Sequence, residues 1–129
     1  MEGLRGSGTE QQVGTEINTT ETKSPVEILK QARARIAEAN RWTKGAFARS
    51  FDGVDVHPDS DLACMWCLDG ALMQAANGLS TPYYSAFSAI QAAVRYNPIS
   101  FNDDPKTTHA DVLNALDRAI ELASKRGEK

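Results

Sequence analysis

The chain has 129 residues, of which 41% are hydrophobic and 24% charged, enough for one compact domain and too few for two. Its 14 Lys plus Arg stand against 17 Asp plus Glu, a net charge of −3, which argues against wrapping nucleic acid by bulk charge. Two cysteines cannot staple a secreted miniprotein, and no apolar run approaches the roughly 18 residues that span a bilayer.

Residues 1–23 hold only Met1, Leu4, Val13 and Ile17 as large apolar residues, among Gly, Ser, Thr, Gln and Glu. Such a stretch buries too little surface to offset its ordering entropy, so a disordered N-terminal tail is expected, with a single helical domain over residues 24–129. Arg5 and Lys23 against Glu2, Glu10, Glu16 and Glu21 place two of the three net negative charges in the tail. No apolar stretch before Ser24 reads as a signal peptide, which points to a soluble cytoplasmic protein.

Ser24-Pro25-Val26-Glu27 is a capping box with proline at the first helical position, and it predicts a helix ending near Asn40 to Trp42. Its inner face is Ile28, Leu29, Ala32, Ile36 and Ala39. Thr43 to Val56 suits a short irregular hairpin turning at Asp52-Gly53. His57-Pro58-Asp59-Ser60 is a turn capping a second helix, Asp61 to Asn77, that is apolar around nearly its whole circumference and therefore central.

Thr81-Pro82 opens a third helix to about Tyr96, and Ile99-Ser100-Phe101 suits an extended segment before the turn Asn102 to Pro105. Thr108-His109-Ala110-Asp111 is a second capping box, with Asp in place of Glu, opening a last helix to about Lys125. The fold expected is mainly α: about four helices in a compact bundle, with a small β-hairpin or extended element between helices 1 and 2.

Cys64-Met65-Trp66-Cys67 has the spacing of a redox dithiol, but no thioredoxin-like alternation of strands and helices surrounds it. As a metal site it is half a ligand set, so two structural thiols are the favoured reading, and no metal or cofactor is expected. Asp69 has Met65, Trp66, Leu72 and Met73 three and four residues away and needs a partner, for which Arg49 or Arg95 would serve. A carboxylate at a groove edge or a general acid are its functional alternatives.

Lys30, Arg33, Arg35, Arg41, Lys44 and Arg49 are six cations within twenty residues against one acid, Glu38. They form either a solvated face, with Glu27 to Lys30 and Glu38 to Arg41 spaced to pair, or a patch for an acidic partner or nucleic acid. His57, His109, Asn102, Asp103 and Asp104 have no specific spacing, and no phosphate loop, dinucleotide fingerprint or nucleophile elbow is present.

The segments Trp42-Thr43-Lys44-Gly45-Ala46-Phe47-Ala48-Arg49, Cys67-Leu68-Asp69-Gly70-Ala71-Leu72 and Phe101-Asn102-Asp103, with the Thr-led last helix, together resemble a family of small bacterial and phage proteins of unassigned function. That family carries Trp-x-x-Gly-x-x-Ala-Arg, Cys-x-x-Gly-Ala-Leu and Trp-Asn-Asp motifs in this order. The resemblance covers about residues 26 to 123 and implies a bacterial or phage source and an accessory role. Phe101 stands where the family tends to have Trp, and Asp69 where a small or apolar residue is expected.

The functional expectation is a non-enzymatic protein that binds another macromolecule, as a phage- or mobile-element-encoded modulator or inhibitor of a host protein. Tyr83, Tyr84, Phe87 or Tyr96 would be its anchors if they are exposed. The alternative is a small-ligand-binding protein or enzyme using Arg49, Asn102, Asp103 and Asp69 around a pocket beside Trp42. A third is nucleic-acid binding through Lys30, Arg33, Arg41 and Lys44. A protein partner is the expectation, with no membrane association.

Overall fold

A computed structural model describes residues 23–127; the expected tail, apart from Lys23, lies outside the described residues. Helix α1, Pro25–Arg35, starts at the capping box: Ser24 Oγ accepts from the Glu27 N–H at 3.2 Å, and Glu27 Oε1 accepts from the Ser24 N–H at 2.9 Å. It stops at Arg35 rather than near Trp42, because the Ile36 carbonyl turns to accept from His109 Nε2 at 2.7 Å. Ala39–Arg41 is a separate 3₁₀ turn.

Three strands follow α1: β1, Ala48–Ser50; β2, Asp55–Val56; and β3, Ala63–Trp66, in the antiparallel order β2-β1-β3. Five α-helices are present among the described residues. After α1 come α2 (Leu68–Ala76), α3 (Thr81–Val94), α4 (Pro98–Asp103) and α5 (His109–Lys125).

The four-helix bundle is therefore corrected to an α+β fold. The central correction is β3, which occupies residues read as the start of the second helix. An apolar run has no period by which to tell strand from helix, and here a strand and a shorter helix lie end to end in it. A second correction is α4, in place of an extended Ile99-Ser100-Phe101: Asn97 Oδ1 accepts from the N–H groups of Ile99 and Ser100, and Pro98 presets the first turn.

The core lies among α1, α2, α3 and α5, built on Ile28, Leu29, Leu68, Leu72, Ile90, Val112 and Leu116, all fully buried. Alanines 32, 71, 86, 89 and 119, also fully buried, line the same core and leave room for the helices to approach closely. The sheet adds Ala48 and Trp66 to this core from one side.

Candidate functional site

The start of α2 is buried, and its unpaired amides need partners. Cys67 is the N-cap, its Sγ accepting from the Gly70 N–H at 3.2 Å. The Leu68 N–H donates to Asn102 Oδ1 at 3.0 Å, and the Cys67 N–H to the Phe47 carbonyl at 3.1 Å. Gly70 is required here, because a Cβ would lie 1.9 Å from the Phe47 carbonyl oxygen.

Asn102, fully buried, also accepts from Trp42 Nε1 at 2.6 Å and donates to the Thr43 carbonyl at 3.1 Å and Asp103 Oδ1 at 3.0 Å. All its donors and both of its acceptor directions are used. Asp103 Oδ1 also accepts from the Gly45 N–H at 3.0 Å. Arg49 donates to Thr43 Oγ1, the carbonyls of Lys44 and Gly53, and Asp55 Oδ1 at 2.7 Å. The three motif segments thus converge on one polar knot that fixes irregular backbone.

Asp69 takes neither arginine. Its Oδ1 accepts from the Tyr83 hydroxyl at 2.7 Å, both residues being buried. Burial raises the Asp69 carboxyl above its ordinary value, and the Tyr83 hydrogen bond opposes that rise. Burial and the adjacent carboxylate push the Tyr83 phenol up as well.

Cys64 and Cys67 do not share a helix face, since Cys64 lies in β3. Burial pushes the Cys67 thiol up to about 12, far from a reactive thiolate. Among the described residues, no group of three or more His, Cys, Asp or Glu is placed to hold a metal ion.

The basic segment is dispersed. Arg33 bridges to Asp117 on α5 with Nε at 2.6 Å, and Lys44 Nζ donates to the carbonyls of Asp104 and Thr107 at 2.7 and 2.8 Å. Glu38 and Arg41 share no helix, because α1 ends before them, and Glu27 serves its capping box. Lys30 is exposed on α1. Arg35 and Arg41 line a groove instead.

Two concavities stand out. The first, about 620 Å³, is lined by apolar side chains including Phe47, Val56, Met73 and Ile99, with Asp55, His57 and Asp103. Of Arg49, Asn102, Asp103 and Asp69, only Asp103 lines it. The second, about 680 Å³, runs along β3 and is walled by Arg35, Asn40, Arg41, Trp42, Phe51 and Met65. Arg35 stacks over the Trp66 ring, 5.0 Å from its centroid.

The sequence pointed to a pocket beside Trp42, but none of Arg49, Asp69, Asn102 and Asp103 lines this groove, and its Phe51 and Arg35 walls were missed. The groove's lining includes Phe51, 91% exposed, and next to the lining residue Ala63 stands Leu62, 68% exposed; Phe51 and Leu62 adjoin the Ser50–Ala63 pair of the β1–β3 ladder. Val54, 56% exposed, lies in the adjoining hairpin turn. The expected aromatic anchors divide: Tyr83 is buried, Phe87 half-buried, and Tyr84 and Tyr96 exposed.

The described helices include none long and apolar enough to cross a membrane. A family described as a family of unknown function (DUF6197) matches residues 20–122. No curated protein and no solved structure matches the chain.

Proposed function

The chain belongs to the DUF6197 family of unknown function, and we propose that this member is a non-enzymatic accessory protein that binds a protein partner at the β3 end of its sheet. The observation that carries this reading is Phe51, 91% exposed beside exposed Leu62 and Val54, at the rim of a groove walled by Trp42, Arg35 and Arg41. Aromatic and arginine side chains supply most of the energy of protein interfaces, and a contiguous exposed apolar patch is unusual on a surface that meets only water. Arg49, Asn102 and Asp103 are engaged with backbone and with neighbouring side chains, which favours binding over chemistry.

The resemblance to small bacterial and phage proteins is what suggests a mobile-element source, a cytoplasmic setting and a host protein as the target, acting by steric occlusion. Affinity capture from a bacterial lysate, with the intact chain and the Phe51→Ser/Leu62→Ser variant side by side, tests the reading. One stoichiometric protein is retained by the parent and lost by the variant, whose thermal stability is unchanged. Equal retention by both contradicts it.

The apolar groove of about 620 Å³ favours a second reading, a small apolar ligand, since its size suits one. That reading predicts that Met73→Trp, which fills the groove, abolishes a thermal shift produced by the ligand.

A further inference from the structure

We infer that the groove beside β3 recognises an acidic side chain of the protein partner. Its carboxylate pairs with the Arg35 guanidinium where that group lies over Trp66, and an apolar side chain of the partner packs on Phe51. This rests on the partner-binding reading above and specifies the chemistry of the partner.

Arg35 ends α1, and its Cζ lies 5.0 Å from the centroid of the buried Trp66 ring. The ring is fixed in turn, its Nε1 donating to the Pro58 carbonyl at 3.0 Å. None of the five N–H donors of the guanidinium meets an acceptor among the described residues. Arg41, exposed on the 3₁₀ turn, has no ion pair there either, and Glu38, three residues from each arginine, pairs with neither. An arginine held on an aromatic ring has lost part of its rotamer freedom before binding, and its planar fork of donors matches a carboxylate.

The charge of the partner follows from what it must cover. A protein that buries Phe51 also removes water from Arg35 and Arg41, which line the same groove. Desolvating a cation without a counter-charge opposes binding, and a carboxylate placed against it offsets the loss. No acidic residue lines the groove, so the counter-charge comes with the partner. Asp52 and Asp61 adjoin Phe51 and Leu62 in sequence, at the other end. They leave that end to an apolar side chain and place the acid at the Trp66 end. Ala63–Trp66 spans about 10 Å at the rise of a strand, so the two features lie roughly that far apart on the partner.

Single-stranded nucleic acid, the other anionic partner, needs a series of open aromatic rings for its bases as well as cations. Here Trp66 is 5% exposed with Arg35 over it, and Trp42 has His109 at 5.7 Å and Lys44 at 5.4 Å from its ring. Of the rings lining the groove, Phe51 alone stands open. That suits one apolar side chain rather than a stack of bases.

The test uses the intact protein and three labelled peptides, each with two leucines, two central glycines and then two glutamates, two glutamines or two lysines. Fluorescence anisotropy at physiological salt reads the affinity, with a labelled oligothymidine of about ten nucleotides run beside them. The glutamate peptide binds with a Kd below about 1 mM and at least about tenfold more tightly than the other two. Arg35→Gln removes that preference, and Arg35→Lys reduces it at least about threefold, because an ammonium does not offer the planar fork of a guanidinium. Arg41→Gln, a change on an exposed turn, also narrows it. Phe51→Ser weakens the glutamate and glutamine peptides alike, and circular dichroism spectra are unchanged throughout.

Equal affinity for the glutamate and glutamine peptides, or no binding up to about 10 mM, would each overturn the inference. So would a preference unmoved by Arg35→Gln, or by Arg41→Gln where the Arg35 variant does not fold, and so would tighter binding of oligothymidine than of the glutamate peptide. Affinity capture that is lost in Phe51→Ser/Leu62→Ser yet complete in Arg35→Gln/Arg41→Gln would sink carboxylate recognition and leave the partner-binding reading standing.

Discussion

Asn102 joins three parts of the chain through one amide: the Trp42-Thr43 segment before β1, the first amide of α2, and its own neighbour in α4. Asn102→Ala leaves a buried N–H of Leu68 and a carbonyl of Thr43 unpaired, at about 1–3 kcal/mol each, so equilibrium denaturation should register a loss of about 3 kcal/mol or more. Gly70→Ala drives a methyl into the Phe47 carbonyl, backbone against backbone, and should cost about 2–3 kcal/mol in the same measurement.

Asp69 makes a different kind of prediction, because its carboxyl is raised by burial above the ordinary 3.8. The folded protein holds this proton more tightly than the unfolded chain does. Its contribution to stability is therefore complete below about pH 3.8 and declines as the pH rises through the raised value. Asp69→Asn still accepts from Tyr83 and removes the decline, so its stability relative to the parent should rise between about pH 3 and pH 7. Denaturant titrations at the two pH values check this, and a flat difference would mean that Asp69 titrates as it does in the unfolded chain.

At the scale of elements, the two capping boxes were legible because each is a complete local signal: Ser24 with Glu27, and Thr108 with Asp111, bond as their sequences dictate. The Asp52-Gly53 turn was legible for the same reason, Gly53 having φ of +85°. What local signals could not show was the division of residues 61–77 into β3 and α2. That division depends on β1 lying alongside and on Asn102, thirty-four residues after Leu68, supplying the buried helix start with an acceptor.

Cys67 illustrates the consequence, since a cysteine spaced as half of a dithiol serves as a helix cap. At neutral pH iodoacetamide should label half-exposed Cys64 and spare Cys67 in the folded protein, as mass spectrometry of tryptic peptides would report. Labelling of both at equal rates would show that α2 opens at its start.

For the whole molecule, Arg49, Asn102 and Asp103 hold the frame, and the groove beside β3 presents apolar, aromatic and positively charged side chains. Arg33 ties α1 to α5 and Lys44 ties the segment before β1 to the α4–α5 connection, so these two cations of the basic segment serve assembly, while Arg35 and Arg41 line the groove. Phe51, Val54 and Leu62 contribute little to that assembly. Their replacement by serine should leave stability within about 0.5 kcal/mol in thermal denaturation. The candidate site escaped sequence reasoning because an exposed Phe in a turn is indistinguishable from a buried one until the strands on either side of it are placed.

Photocrosslinking in bacterial cells from a benzoylphenylalanine at position 51, with position 84 on α3 as the control, tests the central claim most directly. The account predicts one discrete heteromeric adduct from position 51 and none from position 84. Adducts from position 84 alone, or from neither position while affinity capture retains a partner, would place the binding surface elsewhere and contradict it.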